Sequence, residues 1–284
     1  MNDFGEVDAI QQENEQSRPR SISFFGFRVN TLRDKDIVGL VSHAINAQKN
    51  YIIGHHNFHS LYLCRREPRM LDFYSLADRI LIDGMSLVLV GRLFSLPLSR
   101  ENRATSLDFM PLLIPEAVKN GWRIYYLGSK PGVAERAAER LRKQYPGLQM
   151  RTRHGYFDSD KSGVENQAAL NDVKGFAPHI LFVGMGMPRQ ELWLLENRDQ
   201  LDASITFACG AYIDYVAGEI PEAPRWLALF YLEWLYRLIS EPRRLWSRYL
   251  LEPWSVLSHI LKQHLIDRRH GSGVEATNPG SDAD

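Results

Sequence analysis

The chain has 284 residues, 44% hydrophobic and 24% charged, with 34 Lys/Arg against 34 Asp/Glu. That length can bury a sizeable core as one large domain or one domain plus an appendage, and zero net charge gives no basic field that argues for nucleic acid. No run of about 18 apolar residues is free of charge, which argues against a spanning helix; Asp83 and Arg92 break the stretch 80–98, and Glu233 and Arg237 break 226–239.

Residues 1–19 are polar and rich in Gln and Glu, so they read as a disordered tail without the apolar segment of a signal peptide. Short apolar strands are expected at 23–29, 51–53, 80–82, 123–127, 149–156, 179–183 and 204–209, with helical patterns between most of them, as at 133–142. The alternation predicts βαβ units, and hence an α/β fold with a Rossmann-like, mainly parallel sheet over 20–222. From 224 to 269 there is only helical periodicity, rich in Trp, Tyr, Leu and Arg, and 225–269 carries eight Lys/Arg against four Asp/Glu. That segment, 223–269, reads as a helical appendage, in which Pro242 starts a new helix after Ser240. Residues 270–284 read as a second disordered tail. Cys64 and Cys209 lie far apart in apolar surroundings, as reduced core residues of a cytosolic protein.

The most informative run is Gly184-Met-Gly-Met-Pro-Arg-Gln-Glu191, a glycine turn between an apolar strand and a helix with Pro188 in its first turn. Ligands of parallel sheets sit beyond the carboxyl ends of strands, and helix N-termini there attract phosphate, so Gly184, Gly186, Gln190 and Glu191 are expected to meet a nucleotide-like anion. Arg189 stands where a dinucleotide fingerprint needs its third glycine, which counts against a nicotinamide dehydrogenase. Three more strand ends carry polar residues: Gly54-His-His-Asn57, Asp83-Gly84 and Gly128-Ser-Lys-Pro-Gly132, with Asp214 just beyond a fourth. The Gly128 loop either cradles phosphate or is a plain turn; it is not a Walker A loop. Asp83, flanked by apolar sequence, is either a partly desolvated general base or the N-cap of the helix that follows. His55, His56, His59 and His154 invite a metal site, and the 55–59 spacing suits one helical face, but His56 would point elsewhere and no fourth ligand is evident, so they read as satisfied polar histidines. Asp158-Ser-Asp160 sits in a hydrophilic loop, as a solvated turn. In the appendage, Glu233, Arg237, Arg244 and Arg248 fall at helical spacings among tryptophans. That pattern fits an interfacial membrane face, a lid whose arginines clamp a diphosphate, or a hairpin packing its Trp/Leu face on the core.

Together these motifs resemble the WecG/TagA/CpsF family of bacterial glycosyltransferases. The likeness runs from about Ser23 to Val256 and includes Asp83-Gly84, Tyr126-Leu-Gly128, His154-Gly-Tyr-Phe157, the 183–191 run, Asp214-Tyr215, Ala223-Pro-Arg-Trp226 and Glu241-Pro-Arg-Arg-Leu245. The resemblance implies an inverting, metal-independent transfer from a UDP-sugar to a polyprenyl-diphosphate-linked sugar. The catalytic-base aspartate of the family falls on Asp83 and its strand-end asparagine on Asn57. Its nucleotide-contacting Gln and Asp fall on Gln190 and Asp214, and its C-terminal arginines on Arg237 and Arg244. Many members carry Thr where this chain has His55. That departure points to a donor other than N-acetylmannosamine, with UDP-glucose for an exopolysaccharide repeat unit first and UDP-N-acetylmannosamine or its uronic acid second. His55 would then donate a hydrogen bond to the hexose or, alternatively, act as the base. The expected location is peripheral, on the cytoplasmic face of the plasma membrane, with homo-oligomers possible. A nucleotide-sugar sensor and a membrane-associated scaffold, both without turnover, are the rivals from other classes.

Overall fold

The computed structural model describes residues 21–221, 223–224, 227 and 232–269. The two expected disordered tails, and Arg225 and Trp226, lie outside the described residues.

The chain opens on a hairpin, β1 (Ser21–Phe24) and β2 (Phe27–Asn30), where a single strand over 23–29 was expected. Phe25 and Gly26 break it: both have positive φ, at 51° and 88°, the conformation of a tight two-residue turn. Asn30 ties the hairpin to the main sheet, its Oδ1 accepting from the Ile80 amide at 2.8 Å.

The main sheet has six strands: β3 (Tyr51–His56), β4 (Arg79–Ile82), β5 (Ile124–Gly128), β6 (Met150–Arg153), β7 (Ile180–Gly184) and β8 (Ile205–Ala208). Their order is β4-β3-β8-β7-β5-β6, and every pairing is parallel. The expected α/β architecture is present. Continuous apolar runs make these strands because helices cover both faces. Ile124, Tyr126, Ile180, Phe182 and Phe207 face one core with the helices α1 (Asp34–Asn46), α5 (Ser106–Asn120) and α6 (Val133–Gln144). Tyr125, Leu127, Leu181 and Val183 face the other, with α2 (Phe58–Cys64), α3 (Pro68–Leu76), α4 (Met85–Leu93), α7 (Val164–Phe176) and α8 (Arg189–Asn197). Alternate residues of one strand thus serve alternate cores.

Strand order locates the ligand crevice. The connection leaving β5 runs outward to β6, whereas that leaving β7 runs the opposite way to β8. Connections that diverge from adjacent strands leave a gap above their carboxyl ends, where ligands of open α/β sheets bind.

After α9 (Tyr212–Ala217) come α10 (Glu233–Ser240), α11 (Pro242–Leu250, with Pro242 in its first turn) and α12 (Glu252–Arg269). Leu245, Val256 and Ile260 are buried, and Val256 and Ile260 join the core of α2 and α3. His59 Nδ1 meets Glu252 Oε2 at 2.6 Å, and Arg65 donates to the carbonyl and hydroxyl of Ser255 at 2.7 and 2.9 Å. The appendage therefore docks through small aliphatic residues and polar ties. Trp234, Trp246 and Trp254 remain exposed, so the alternative of a hairpin packing its Trp face on the core does not hold for them. Among the described residues no helix is long and apolar enough to cross a membrane.

Candidate active site

At the diverging strands the backbone closes on itself. Gly128 of β5 pairs with Gly184 of β7, and a Cβ on Gly128 would overlap the Gly184 carbonyl. A Cβ on Gly184 would strike the Tyr126 hydroxyl, and one on Gly155 would sit 3.0 Å from the Gly128 Cα and 3.1 Å from Met185 Cγ. Glycine at 128 and 184 is a packing requirement that also leaves bare main chain facing the crevice. Ser129 continues it, its N–H donating to the Gly184 carbonyl at 3.2 Å, its carbonyl accepting from Gly155 at 2.9 Å and its hydroxyl 3.3 Å from that of Tyr126. Asp214, in the first turn of α9, takes a hydrogen bond from Ser129; burial raises its pKa, against that bond and the field of Arg244.

Gln190 and Glu191 do not reach into the crevice in the way expected. Both are buried, and Gln190 Oε1 accepts from the Gly186 N–H at 3.0 Å while its Nε2 donates to Glu191 Oε1 at 2.8 Å. Gln190 holds the turn from beneath, and the Gly186 donor is already engaged.

The second cluster forms at the ends of β3 and β4. Asn57 caps α2, its Oδ1 accepting from the Ser60 N–H at 3.0 Å. That bond fixes the amide's orientation, so the other end, Nδ2, donates to Asp83 Oδ2 at 3.2 Å. Asp83 itself caps nothing: Gly84, at φ 111°, is the cap residue of α4 and no side chain bonds to that helix end. The capping alternative for Asp83 is therefore removed, and its carboxylate is half-buried and held by one amide.

The appendage adds guanidinium groups. Arg237 lies 5.9 Å from the centre of the Tyr215 ring, and its Nε is buried without a partner among the described residues. Burial works against its charge, yet Tyr249, Tyr215, Asp83 and Glu241 together raise its pKa. Arg248 is lowered by burial, with Asp83 and Tyr249 opposing. Arg248 was noted only for its helical spacing; it stands one turn beyond Arg244 on α11, and that i, i+4 relation was the available signal. Arg244 faces Glu241, its Nε donating to Oε1 at 2.9 Å, and its field also reaches Asp214. Ser129 and Tyr215 were named only as parts of the 128–132 loop and the Asp214-Tyr215 motif, without roles of their own; the fold sets Ser129 against Asp214 and Tyr215 beside Arg237.

His55 is not placed as a sugar donor. Its ring is buried, and Nδ1 lies 2.6 Å from the Ala208 carbonyl, which can only accept; Nδ1 therefore carries the proton. Burial lowers its pKa, leaving a neutral ring that ties β3 to β8. His56 is pushed down to about 3 by burial and rests against Tyr74, with Nδ1 3.0 Å from the Ser60 hydroxyl. Among the described residues no group of three or more His, Cys, Asp or Glu side chains could hold a metal. Asp158 and Asp160 accept backbone amides of their own exposed turn, each at 3.0 Å.

The chain is similar to known proteins over most of its length. An N-acetylglucosaminyldiphosphoundecaprenol N-acetyl-beta-D-mannosaminyltransferase of Bacillus spizizenii is 27% identical over 245 residues, covering 84% of this chain and 92% of the relative. A protein of the same name from Staphylococcus aureus is 27% identical over 175 residues, covering 62% and 66%. The profile of the glycosyl transferase WecG/TagA/CpsF family matches residues 22–270. The chain is a glycosyltransferase and belongs to the WecG/TagA/CpsF family.

Proposed function

We propose that the protein transfers N-acetylmannosamine from its UDP-linked form to N-acetylglucosamine carried on a polyprenyl diphosphate. The observation that carries this reading is the Asn57–Asp83 pair: a carboxylate that caps no helix, at the carboxyl end of β4 on the same side of the parallel sheet as the crevice, with Arg237 and Arg248 in its field. Asp83 takes the proton of the acceptor hydroxyl as that oxygen attacks the anomeric carbon, and UDP leaves from the opposite face with inversion. Negative charge then grows on the leaving diphosphate, where preorganised donors contribute most. Arg237, Arg244 and the N–H groups of Lys130 and Gly132 in the 128–132 loop are the groups for that task, and guanidinium groups take the place of a divalent cation.

The names of the relatives support N-acetylmannosamine over glucose. The case for glucose rested on His55 standing where many family members carry Thr; Nδ1 of that ring is engaged with the Ala208 carbonyl at 2.6 Å, which speaks against a hydrogen bond from it to a hexose. The test is product mass after incubation with a panel of UDP-sugars and a short-chain polyprenyl-diphosphate N-acetylglucosamine. A disaccharide product from UDP-N-acetylmannosamine alone is expected. Product from UDP-glucose instead, or from no donor, overturns the proposal.

A lipid-linked acceptor needs the enzyme at a bilayer surface. Trp254 is 72% exposed and Trp246 51%, with Ile239, Leu250 and Leu251 also exposed on the same three-helix appendage. Tryptophan and aliphatic side chains mixed with cations suit an interface with anionic lipid. Replacing Trp246 and Trp254 by Ser removes about 1.5 kcal/mol of apolar transfer each, so vesicle affinity should fall roughly a hundredfold. Co-sedimentation with anionic vesicles reads this, and unchanged binding would reject peripheral attachment through this face. Removing the whole appendage is a poorer test, because Val256 and Ile260 belong to the core.

A further inference from the structure

Beneath the crevice lies a carboxyl that the transfer chemistry leaves unused. Glu191 is wholly buried; its Oε1 accepts from Gln190, while Oε2 has no partner among the described residues. A side chain that merely filled this space would be less costly as an amide or a hydrocarbon, since a buried ionisable group needs its full set of partners. What a carboxylate adds is an acceptor of fixed polarity. Gln190 can present either end of its amide to Gly186, and an acceptor at its nitrogen end decides which. With Glu191 in place, the Gln190 oxygen faces the Gly186 N–H at 3.0 Å.

The titratable and charged groups around Glu191 are Cys64 of α2, Tyr74 of α3, Cys209 after β8 and Arg248 of α11. Only Arg248 is a cation. Burial pushes the Glu191 carboxyl up to about 7, while the Gln190 amide, a backbone N–H and Arg248 pull it down. Arg248 also lies in the field of Asp83.

We infer that Glu191 is a positioning residue for the transfer, fixing the Gly186 turn through Gln190. The inference rests on the transferase reading and deepens it. Loss of the side chain frees the Gln190 amide, which loosens the turn.

Glu191→Gln and Glu191→Ala test this, with UDP affinity, KM and kcat followed for each. Glu191→Gln keeps a carbonyl for Gln190, so UDP affinity and KM stay within about threefold of the parent. Glu191→Ala weakens UDP binding and raises the donor KM roughly tenfold, while kcat changes less. Folding is checked by melting. A carboxyl raised to about 7 contributes stability below its unfolded value that is lost as pH climbs through 7, so Glu191→Gln melts higher than the parent on the alkaline side. A Glu191→Ala variant with parental UDP affinity overturns the relay, and so does a Glu191→Gln variant that binds UDP as weakly as Glu191→Ala. If the parent binds UDP but transfers no sugar, the functional proposal fails; the relay is then judged on UDP affinity alone, by the same two variants.

Discussion

Asp83→Asn is expected to cut transfer by about a thousandfold or more while changing UDP affinity by less than about threefold. The substitution is close to isosteric, and an asparagine oxygen at this position still accepts from Asn57 Nδ2, now 3.2 Å away. Helix α4 loses nothing, since Gly84 rather than Asp83 occupies its cap. What disappears is the proton acceptor and the negative charge that Arg237 and Arg248 face. Because that charge matters only as the acceptor hydroxyl loses its proton, kcat and kcat/KM should fall together and KM should hardly move. Single-turnover transfer to the lipid-linked acceptor, paired with calorimetric UDP binding, measures both quantities. A variant with near-parental transfer would remove Asp83 from the chemistry and leave the strand-end cluster without a base.

The sheet was legible because strands buried on both faces read as uninterrupted apolar runs, and six of the seven expected segments became strands of one parallel sheet. The first segment did not: Phe25 takes φ 51°, and a bulky residue in a left-handed turn leaves no mark on the pattern around it. The crevice was legible through glycines at strand ends, but the direction of the side chains near it was not. Gln190 and Glu191 stand in the first turn of a helix, where a ligand contact is the natural reading. Their inward turn depends on the Gly186 N–H that Gln190 accepts and on its contact with buried Glu191, both set by tertiary packing. His55 was misread for a similar reason, since its partner Ala208 lies 153 residues away. The choice between cap and base for Asp83 turned on the backbone of Gly84 and on Asn57, which the sequence placed near the site without a partner. In the appendage, composition revealed an amphipathic segment but not which apolar residues it buries. Packing chose Leu245, Val256 and Ile260, and left the described tryptophans outside.

Gly128→Ala should be the most damaging single methyl group in the chain, for a reason opposite to that of Asp83. The new carbon would overlap the Gly184 carbonyl, which is backbone in the neighbouring strand and cannot rotate away as a side chain does. The ends of β5 and β7 must separate, breaking the contact between Ser129 N–H and the Gly184 carbonyl and shifting Gly155, whose amide bonds to Ser129. Overpacking of this kind costs about 3 kcal/mol, which for a chain of this size lowers Tm by roughly 6–12 °C. UDP binding should fall below detection, because the same strand ends form the crevice floor. Gly186→Ala is the control. It has open space around its added carbon but a φ of 86°, so strain of about 1–2 kcal/mol applies without any overlap. The protein should therefore melt lower after the change at 128 than after the change at 186, in thermal scans of the two variants side by side. If Gly128→Ala melts and binds UDP like the parent, the strand ends can part freely, and the ligand does not sit where the connections of β5 and β7 diverge.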